Sequence, residues 1–251
     1  MPLSVVIITR DAGTQLEACL SSVAFAEERL VVDSGSSDNT LEIARQYGAR
    51  IIEKQWLGFG PQKQFAVDSA THDWVLCLDA DERVSESLKA AILEELSAPR
   101  AKAYQMARCN RFLGRWLRHG EGYPDWSLRL FHRGHAHWSN ASVHETVVSA
   151  ASPLKLHGDL LHDSAESLQK YLDKQNRYTT LQAEEMFAAG KVAGISHLLI
   201  SPLLRFLKFY VFRLGFLDGM AGLIHIYFGC MNSFNKYAKL IALNAVKRSN
   251  S

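Results

Sequence analysis

The sequence predicts an α/β fold, with a mostly parallel sheet covered by helices on both faces from Met1 to about Ala150 and a helical extension from 151 to 251. Three observations predict it. Short β-branched runs alternate with amphipathic helical patterns, as in βαβ units. The first, second and fourth of these runs end on polar residues, Thr9, Asp33 and Asp79. The last quarter of the chain is dominated by apolar, aromatic and basic residues.

The elements follow in order. Leu3–Thr9 reads as a strand buried on both faces, and a helix follows near Gln15–Val23. Arg29–Val32 is a second strand that ends at Asp33. The turn Ser34-Gly-Ser-Ser-Asp38 caps a helix near Asn39–Tyr47, and Gly48 stops it. Arg50–Glu53 is a third strand. Pro61 opens a helix through Ala70. Trp74–Leu78 is a fourth strand, and a helix runs from about Glu86 to Leu96. Beyond Ala101, strands are expected at Tyr104–Cys109, Ser127–Phe131 and Val143–Val148, and a long helix at Ser164–Ala189. In open parallel sheets ligands bind at the carboxyl ends of strands, so Thr9, Asp33 and Asp79 share one candidate edge.

Composition narrows the class. Hydrophobic residues make up 47% and charged residues 22%, which suits a folded protein. A net charge of +2 is too small to point to nucleic acid. From Ile195 onward the bases Arg205, Lys208, Arg213, Lys236, Lys239, Lys247 and Arg248 face the single acid Asp218, which suggests an anionic membrane surface. Leu198–Leu217 carries Pro202, Arg205, Lys208 and Arg213, so an amphipathic helix lying in the interface is expected rather than a spanning one; a helical subdomain packed on the catalytic core or in a dimer is the plainer alternative. The N-terminus lacks the basic region of a signal peptide. The four cysteines form no CxxC pair and read as buried thiols.

The chemistry concentrates in Val75-Leu-Cys-Leu-Asp79-Ala-Asp81-Glu82-Arg83. Two carboxylates one residue apart repel unless a cation lies between them, and their hard oxygens suit Mg2+ or Mn2+. Such an ion would stabilise charge on a departing diphosphate. In isolation the pattern equally describes a solvated turn; its position after a buried strand favours the metal reading.

Ser4-Val-Val-Ile-Ile-Thr-Arg10, Val32-Asp33-Ser-Gly-Ser-Ser-Asp38-Asn-Thr40 and Leu78-Asp-Ala-Asp-Glu-Arg83 resemble, in order and spacing, the family 2 glycosyltransferases with the GT-A, Rossmann-like fold. Trp56-Leu-Gly-Phe-Gly-Pro-Gln-Lys63, Arg129-Leu-Phe-His-Arg133, Val143-His-Glu145 and Gly215-Phe-Leu-Asp-Gly219 are similar to bacterial lipopolysaccharide-core glucosyltransferases that act on inner-core heptose. The resemblance implies inverting transfer of a hexose, glucose first among candidates, from a UDP-sugar to a glycolipid acceptor at the cytoplasmic face of the inner membrane. It implies that Thr9, Arg10 and Asp33 line the nucleotide pocket, with Asp33 accepting from the uracil N–H. Asp79 would approach ribose or sugar, Lys63 would lie near the donor, and Asp81, with Asp79, would hold the metal. The chain departs from the family at Asp11-Ala12, where Asn-Glu is usual, and at Gln64, where Asn often stands.

Inversion requires a base to deprotonate the acceptor hydroxyl. Glu145 is the first candidate and Asp125 the second; each is also compatible with an ordinary loop acid. The alternation of Arg129 and Arg133 puts both on one strand face, where they suit phosphate oxyanions or form an ordinary solvated face. His144 and His162 are candidates for completing a metal shell, while His132, His135 and His137 are expected to serve structure rather than zinc. A nucleotidyltransferase would need a Gly-rich basic loop that Arg10-Asp-Ala-Gly13 scarcely supplies. A non-catalytic carbohydrate- or membrane-binding scaffold would not need the intact Asp79/Asp81 pair.

Overall fold

The computed structural model describes residues 1–139, 145–164 and 167–249. The elements are β1 (Leu3–Thr9), α1 (Leu16–Ser22), β2 (Glu28–Asp33), α2 (Thr40–Gln46), β3 (Arg50–Glu53), α3 (Phe59–Asp68), β4 (Trp74–Asp79), β5 (Glu82–Val84) and α4 (Glu86–Ser97). They continue as β6 (Ala103–Phe112), β7 (Arg115–Trp116), β8 (Asp125–His132), β9 (Ala136–Trp138), β10 (Val147–Ser149), β11 (Leu154–His162), α5 (Leu168–Ala188), α6 (Ile195–Phe206) and α7 (Gly219–Ser249). The chain divides into one unit of residues 1–109 and 125–163, and a second of residues 110–124 and 164–251.

The first unit is built on a sheet of order β3-β2-β1-β4-β8-β6-β11-β5. Strands β3, β2, β1 and β4 are parallel. Beyond β4 the sheet turns antiparallel at β8 and β6, so it is mixed, with the parallel half at its amino-terminal side. The β-branched residues of β1 face both layers. Leu3, Val5 and Ile7 pack with Leu16, Leu20, Ile43, Leu88 and Ile92 of α1, α2 and α4. Val6 packs on the opposite side with Ala66 and Val67 of α3. Burial on both faces explains why these strands read as apolar runs rather than alternating ones.

The expected boundary near residue 150 differs from this division. β11 completes the sheet of the first unit, and Leu156 and Leu160 lie in its core. Residues 110–124 belong with the second unit. Four strands were not expected: β5, β7 and β9 are too short to show a period, and Gly158 and Asp159 interrupt the apolar alternation of β11. Of the expected strand Val143–Val148, residues 143 and 144 lie outside the described residues, and β10 starts at Val147.

In the second unit α5 and α6 each pack on α7. Ser201 and Ser233 hydroxyls meet at 2.7 Å. α6 continues into a π-helical turn, Leu207–Phe212, and a 3-10 turn, Gly215–Asp218, leads into α7. Ile195–Phe212 is long and apolar enough to cross a membrane by length and composition, with mean hydropathy 1.4 and none of it buried.

Candidate active site

The parallel register sets the site. Thr9 lies opposite Asp33, and Ile8 opposite Asp79, so the carboxyl ends of β1, β2 and β4 form one edge. Asp33 is buried at 1% exposure and holds the turn after β2. One carboxylate oxygen accepts from the Thr9 hydroxyl at 2.8 Å and the Ser36 hydroxyl at 2.5 Å. The other accepts from the backbone N–H groups of Gly35 and Ser36 at 2.9 and 2.8 Å. Gly35 sits at φ +85°, a conformation that favours glycine. Two oxygens offer about four acceptor positions, and all four are used, three by the turn and one by Thr9 of β1. A direct uracil contact, as the resemblance implies, would have to displace one of these donors. Asp33 thus braces the turn after β2 against Thr9 of β1.

The turn is latched to the loop after β1. Asp11 accepts from Ser37 N–H at 2.8 Å, and Asp38 accepts from Gly13 N–H at 2.9 Å. Hydrogen bonds from Ser37 hold the Asp11 carboxyl below its ordinary range. Ala12, where the family usually carries Glu, is buried in the core and donates its N–H to the Thr40 hydroxyl at 2.8 Å. Arg10 is exposed at the mouth of this edge.

Asp79 ends β4 between two cations. Lys63 of α3 approaches one oxygen at 2.9 Å, and Arg129 of β8 donates to the other at 2.8 Å. Burial raises the Asp79 pKa, but Arg129 and then Lys63 outweigh it and leave the carboxyl well below the usual range. Lys63 and Arg129 thus place two side-chain cations beside Asp79, whereas Asp81 has His162 as its partner. Arg129 also donates at 2.7 Å to Glu82, which is fully buried. Burial lowers the Arg129 pKa, yet Glu82 and Asp79 together hold it above its ordinary value. Glu82 accepts in turn from the Asp79 N–H at 3.0 Å. Lys63 reaches on to Glu145 at 3.6 Å, and both Lys63 and Arg129 lie over the Trp138 ring.

The Glycosyl transferase family 2 model matches residues 4–152, which contain every residue of this edge. The chain belongs to glycosyl transferase family 2. It is 30% identical over 256 residues to a lipopolysaccharide core biosynthesis glycosyltransferase, LpsC, of Rhizobium meliloti, covering 98% of this chain and 94% of that protein. It is 29% identical over 260 residues to an uncharacterised glycosyltransferase of Rickettsia typhi, covering 98% and 89%. Among solved structures, glucosyl-3-phosphoglycerate synthase of Mycobacterium tuberculosis, in complex with Mn2+, UDP and glucosyl-3-phosphoglycerate, aligns at TM-score 0.38 and 20% identity. That alignment covers 44% of each chain, less than half of the mycobacterial protein.

Other candidate residues of this family 2 glycosyltransferase fall on either side of the centre. Asp81 follows β4 in a tight turn, and its carboxylate lies 3.2 Å from His162 Nε2 at the end of β11. Asp163 N–H donates to the Asp81 carbonyl at 3.0 Å, fixing the two segments together. A carboxylate oxygen from the β4–β5 turn and an imidazole nitrogen from the end of β11 suit Mn2+ better than Mg2+, which takes oxygen ligands. Divalent ions at phosphates commonly take one or two protein ligands and fill the remainder with water and phosphate. Among the described residues no group of three or more His, Cys, Asp or Glu side chains gathers around one point. His144 lies outside the described residues.

Asp125 opens β8 and is held by Arg108, whose Nη2 and Nε lie 2.7 and 2.8 Å from the same oxygen. Arg108 also approaches Glu82 at 3.7 Å. Charges therefore alternate from Asp125 through Arg108, Glu82, Arg129, Asp79 and Lys63 to Glu145, joining the two candidate bases. Arg108 and Glu82 carried no expected role. Their signals are an arginine within the strand expected at Tyr104–Cys109 and an acid three positions beyond the end of β4, each of which needs a partner when buried.

Arg133 does not share the face of Arg129. β8 ends at His132, and Arg133 pairs with Asp73 at 3.0 Å and donates to the Ala70 carbonyl at 2.6 Å. It staples the opposite end of the sheet. His132 packs edge-on against Trp74, 5.7 Å between centroids, and against His135 at 5.1 Å; burial lowers its pKa. His137 is exposed on β9. Gln64, where the family often carries Asn, accepts from the Trp138 backbone N–H at 2.7 Å, while the indole N–H beneath Lys63 points to Cys77 Sγ at 3.3 Å.

Proposed function

We propose that this chain is an inverting hexosyltransferase that moves a hexose, glucose first among candidates, from a UDP-sugar to a hydroxyl of a lipid-linked saccharide, the inner-core heptose of lipopolysaccharide. The observation that carries the reading is Lys63, whose ammonium lies between Asp79 at 2.9 Å and Glu145 at 3.6 Å. One cation thereby ties the donor-side carboxylate at the strand end to the candidate base. The similarity to a lipopolysaccharide core biosynthesis enzyme along 98% of the chain supports the acceptor class.

The roles follow from position. The 33–38 turn, shaped by Asp33 and Thr9, walls the nucleoside. Arg10 lies at the mouth of that pocket, where a diphosphate would enter. Asp81 and His162 would hold a divalent cation. Such an ion supplies charge stabilisation to a leaving diphosphate. Asp79 is kept ionised by Lys63 and Arg129, ready to accept from sugar or ribose hydroxyls. Glu145 takes the proton of the attacking acceptor hydroxyl, with Lys63 beside it. Asp125 is the weaker candidate because Arg108 occupies it from two nitrogens.

The second unit supplies attachment to the cytoplasmic face of the inner membrane. Leu199, Leu203 and Leu204 of α6 are 65%, 57% and 59% exposed. Arg205 is paired with Glu121, and Arg213 donates to the Tyr123 carbonyl at 2.7 Å. These ties hold the segment against its own unit, which favours lying in the interface over crossing it.

Release of UDP from UDP-hexoses, with and without Mn2+ and acceptor, tests the reading. Metal-stimulated, acceptor-stimulated release is expected. Nucleoside triphosphate consumption instead would favour a nucleotidyltransferase, and turnover of neither would favour a binding scaffold.

A further inference from the structure

Residues 110–118 interrupt the first unit and fold into the second as a hairpin. Arg111 pairs with Trp116, and Phe112 with Arg115. Leu113 and Gly114 form the two-residue connection at φ +47° and +80°, the positive values that such tight hairpins require. Phe112 anchors the hairpin inside the unit, with its ring 5.4 Å from Tyr171 and 5.2 Å from His225. The tip faces outward, and Leu113 is 54% exposed.

The hairpin adjoins the turn between α6 and α7. Arg115 donates to the Leu217 carbonyl at 2.9 Å, and Gly120 N–H to the Arg213 carbonyl at 2.9 Å. Asp218, buried, accepts from the N–H groups of Arg118 and His119 at 3.0 and 2.8 Å. That turn is itself apolar on the outside: Phe212 is 80% exposed and Met220 69%, with Phe216 and Leu217 near half. Arg111, Arg115, Arg118, Lys208 and Arg213 are exposed among them. The acids of these two stretches are Glu121, paired with Arg205, and the buried Asp218. Carbonyl partners leave the charges of Arg115 and Arg213 uncompensated. The outward chemistry is therefore apolar and cationic with no exposed acid, a combination complementary to an anionic lipid bilayer.

We infer that the 110–118 hairpin and the 212–220 turn form one lipid-docking surface that seats on an anionic bilayer, with Leu113 and Phe216 entering the apolar boundary. The inference rests on the reading that the acceptor is a membrane glycolipid, and it adds to the C-terminal segment a second arm of attachment, the 110–118 hairpin.

Flotation of the full chain with vesicles tests it, without donor or acceptor, so that failure of the transferase reading leaves the result interpretable. Vesicles are phosphatidylcholine alone, or phosphatidylcholine and phosphatidylglycerol in equal parts. The wild type is expected to float better with the anionic vesicles and to lose part of that advantage at high salt. Leu113→Asp combined with Phe216→Asp should weaken binding to both vesicles. Arg115→Gln combined with Lys208→Gln should weaken binding to the anionic vesicles alone, by roughly thirtyfold at about 1 kcal/mol per charge. Leu93→Asp, an exposed apolar residue of α4 in the first unit, should change nothing. Circular dichroism confirms that each variant is folded. Undiminished flotation of both double variants overturns the inference. So does a wild type that ignores vesicles but sediments as a dimer dissolved by Leu113→Asp, which would make this face a protein interface.

Discussion

Lys63 and Glu145 stand 3.6 Å apart although 82 positions separate them, and the same ammonium is 2.9 Å from Asp79. Lys63→Met keeps the apolar stem over Trp138 and removes the charge. Asp79 would then rely on Arg129 alone, and Glu145 would lose its neighbour. Turnover should fall by about 10²-fold through lost positioning. Folding stability should fall by about 1–3 kcal/mol, because Arg129 still compensates the carboxylate. Single-turnover kinetics and a denaturant titration separate the two effects.

Glu145→Gln should retain UDP-sugar binding and lose about 10²–10⁴-fold in turnover, since the amide cannot accept a proton at neutral pH. Asp125→Asn should cost far less. The reverse order in measured kcat would transfer the base to Asp125.

Asp33→Ala leaves the buried Thr9 hydroxyl, and the N–H groups and hydroxyl of the partly exposed Gly35–Ser36 turn, without their acceptor. A loss of about 1–3 kcal/mol in stability is expected, chiefly from the one buried group stranded. UDP affinity should weaken with it, while the metal requirement persists. Thr9→Val, which removes one donor only, should be milder on both counts. Calorimetry with UDP and thermal melts give the comparison. Unchanged UDP affinity in Asp33→Ala would place the nucleoside elsewhere.

Glu28 provides a pH signature remote from the site. It accepts from the Ser4 hydroxyl, from Thr71 N–H at 2.7 Å and from Arg50 Nε at 2.9 Å, tying the amino ends of β1, β2 and β3. Burial would raise its pKa, but these donors outweigh it and bring it from 4.5 to about 2. A depressed carboxyl contributes stability that is present above its unfolded pKa and is lost as pH falls toward the folded one. Glu28→Gln should therefore flatten the stability profile between about pH 4.5 and 2. Urea titrations at several acidic pH values would show an unaltered slope if Glu28 has no such role.

The parallel half of the sheet was legible because strands buried on both faces leave short apolar runs, and because Gly48 and Gly35 mark turns that need positive φ. Asp79 was legible because a carboxylate at the end of such a run is conspicuous. The ion-pair chain was not. Its members come from α3, β4, β5, β6, β8 and the loop before β10, and the antiparallel return of β8 that delivers Arg129 beside Asp79 leaves no local periodicity. Arg129 and Arg133, four positions apart, were expected on one face. The strand ends at His132, and that sends Arg133 to Asp73 instead. β11 was assigned to the extension because its glycine and aspartate disguise a core strand, yet it brings His162 to Asp81.

The metal assignment has its own test. Asp81→Ala should abolish Mn2+-dependent UDP binding while leaving the fold intact, and His162→Ala should weaken it less, since phosphate and water can supply further ligands. Equal Mn2+-dependent affinity in Asp81→Ala and the wild type would remove Asp81 from the metal.

The most direct measurement is UDP release from UDP-glucose in the presence of heptose-bearing lipopolysaccharide core, with Mn2+ or with EDTA. The account predicts release that requires acceptor, stops with EDTA, and yields a product one hexose heavier with inverted anomeric configuration. Absence of acceptor-dependent release with any UDP-hexose, or transfer with retained configuration, would contradict it.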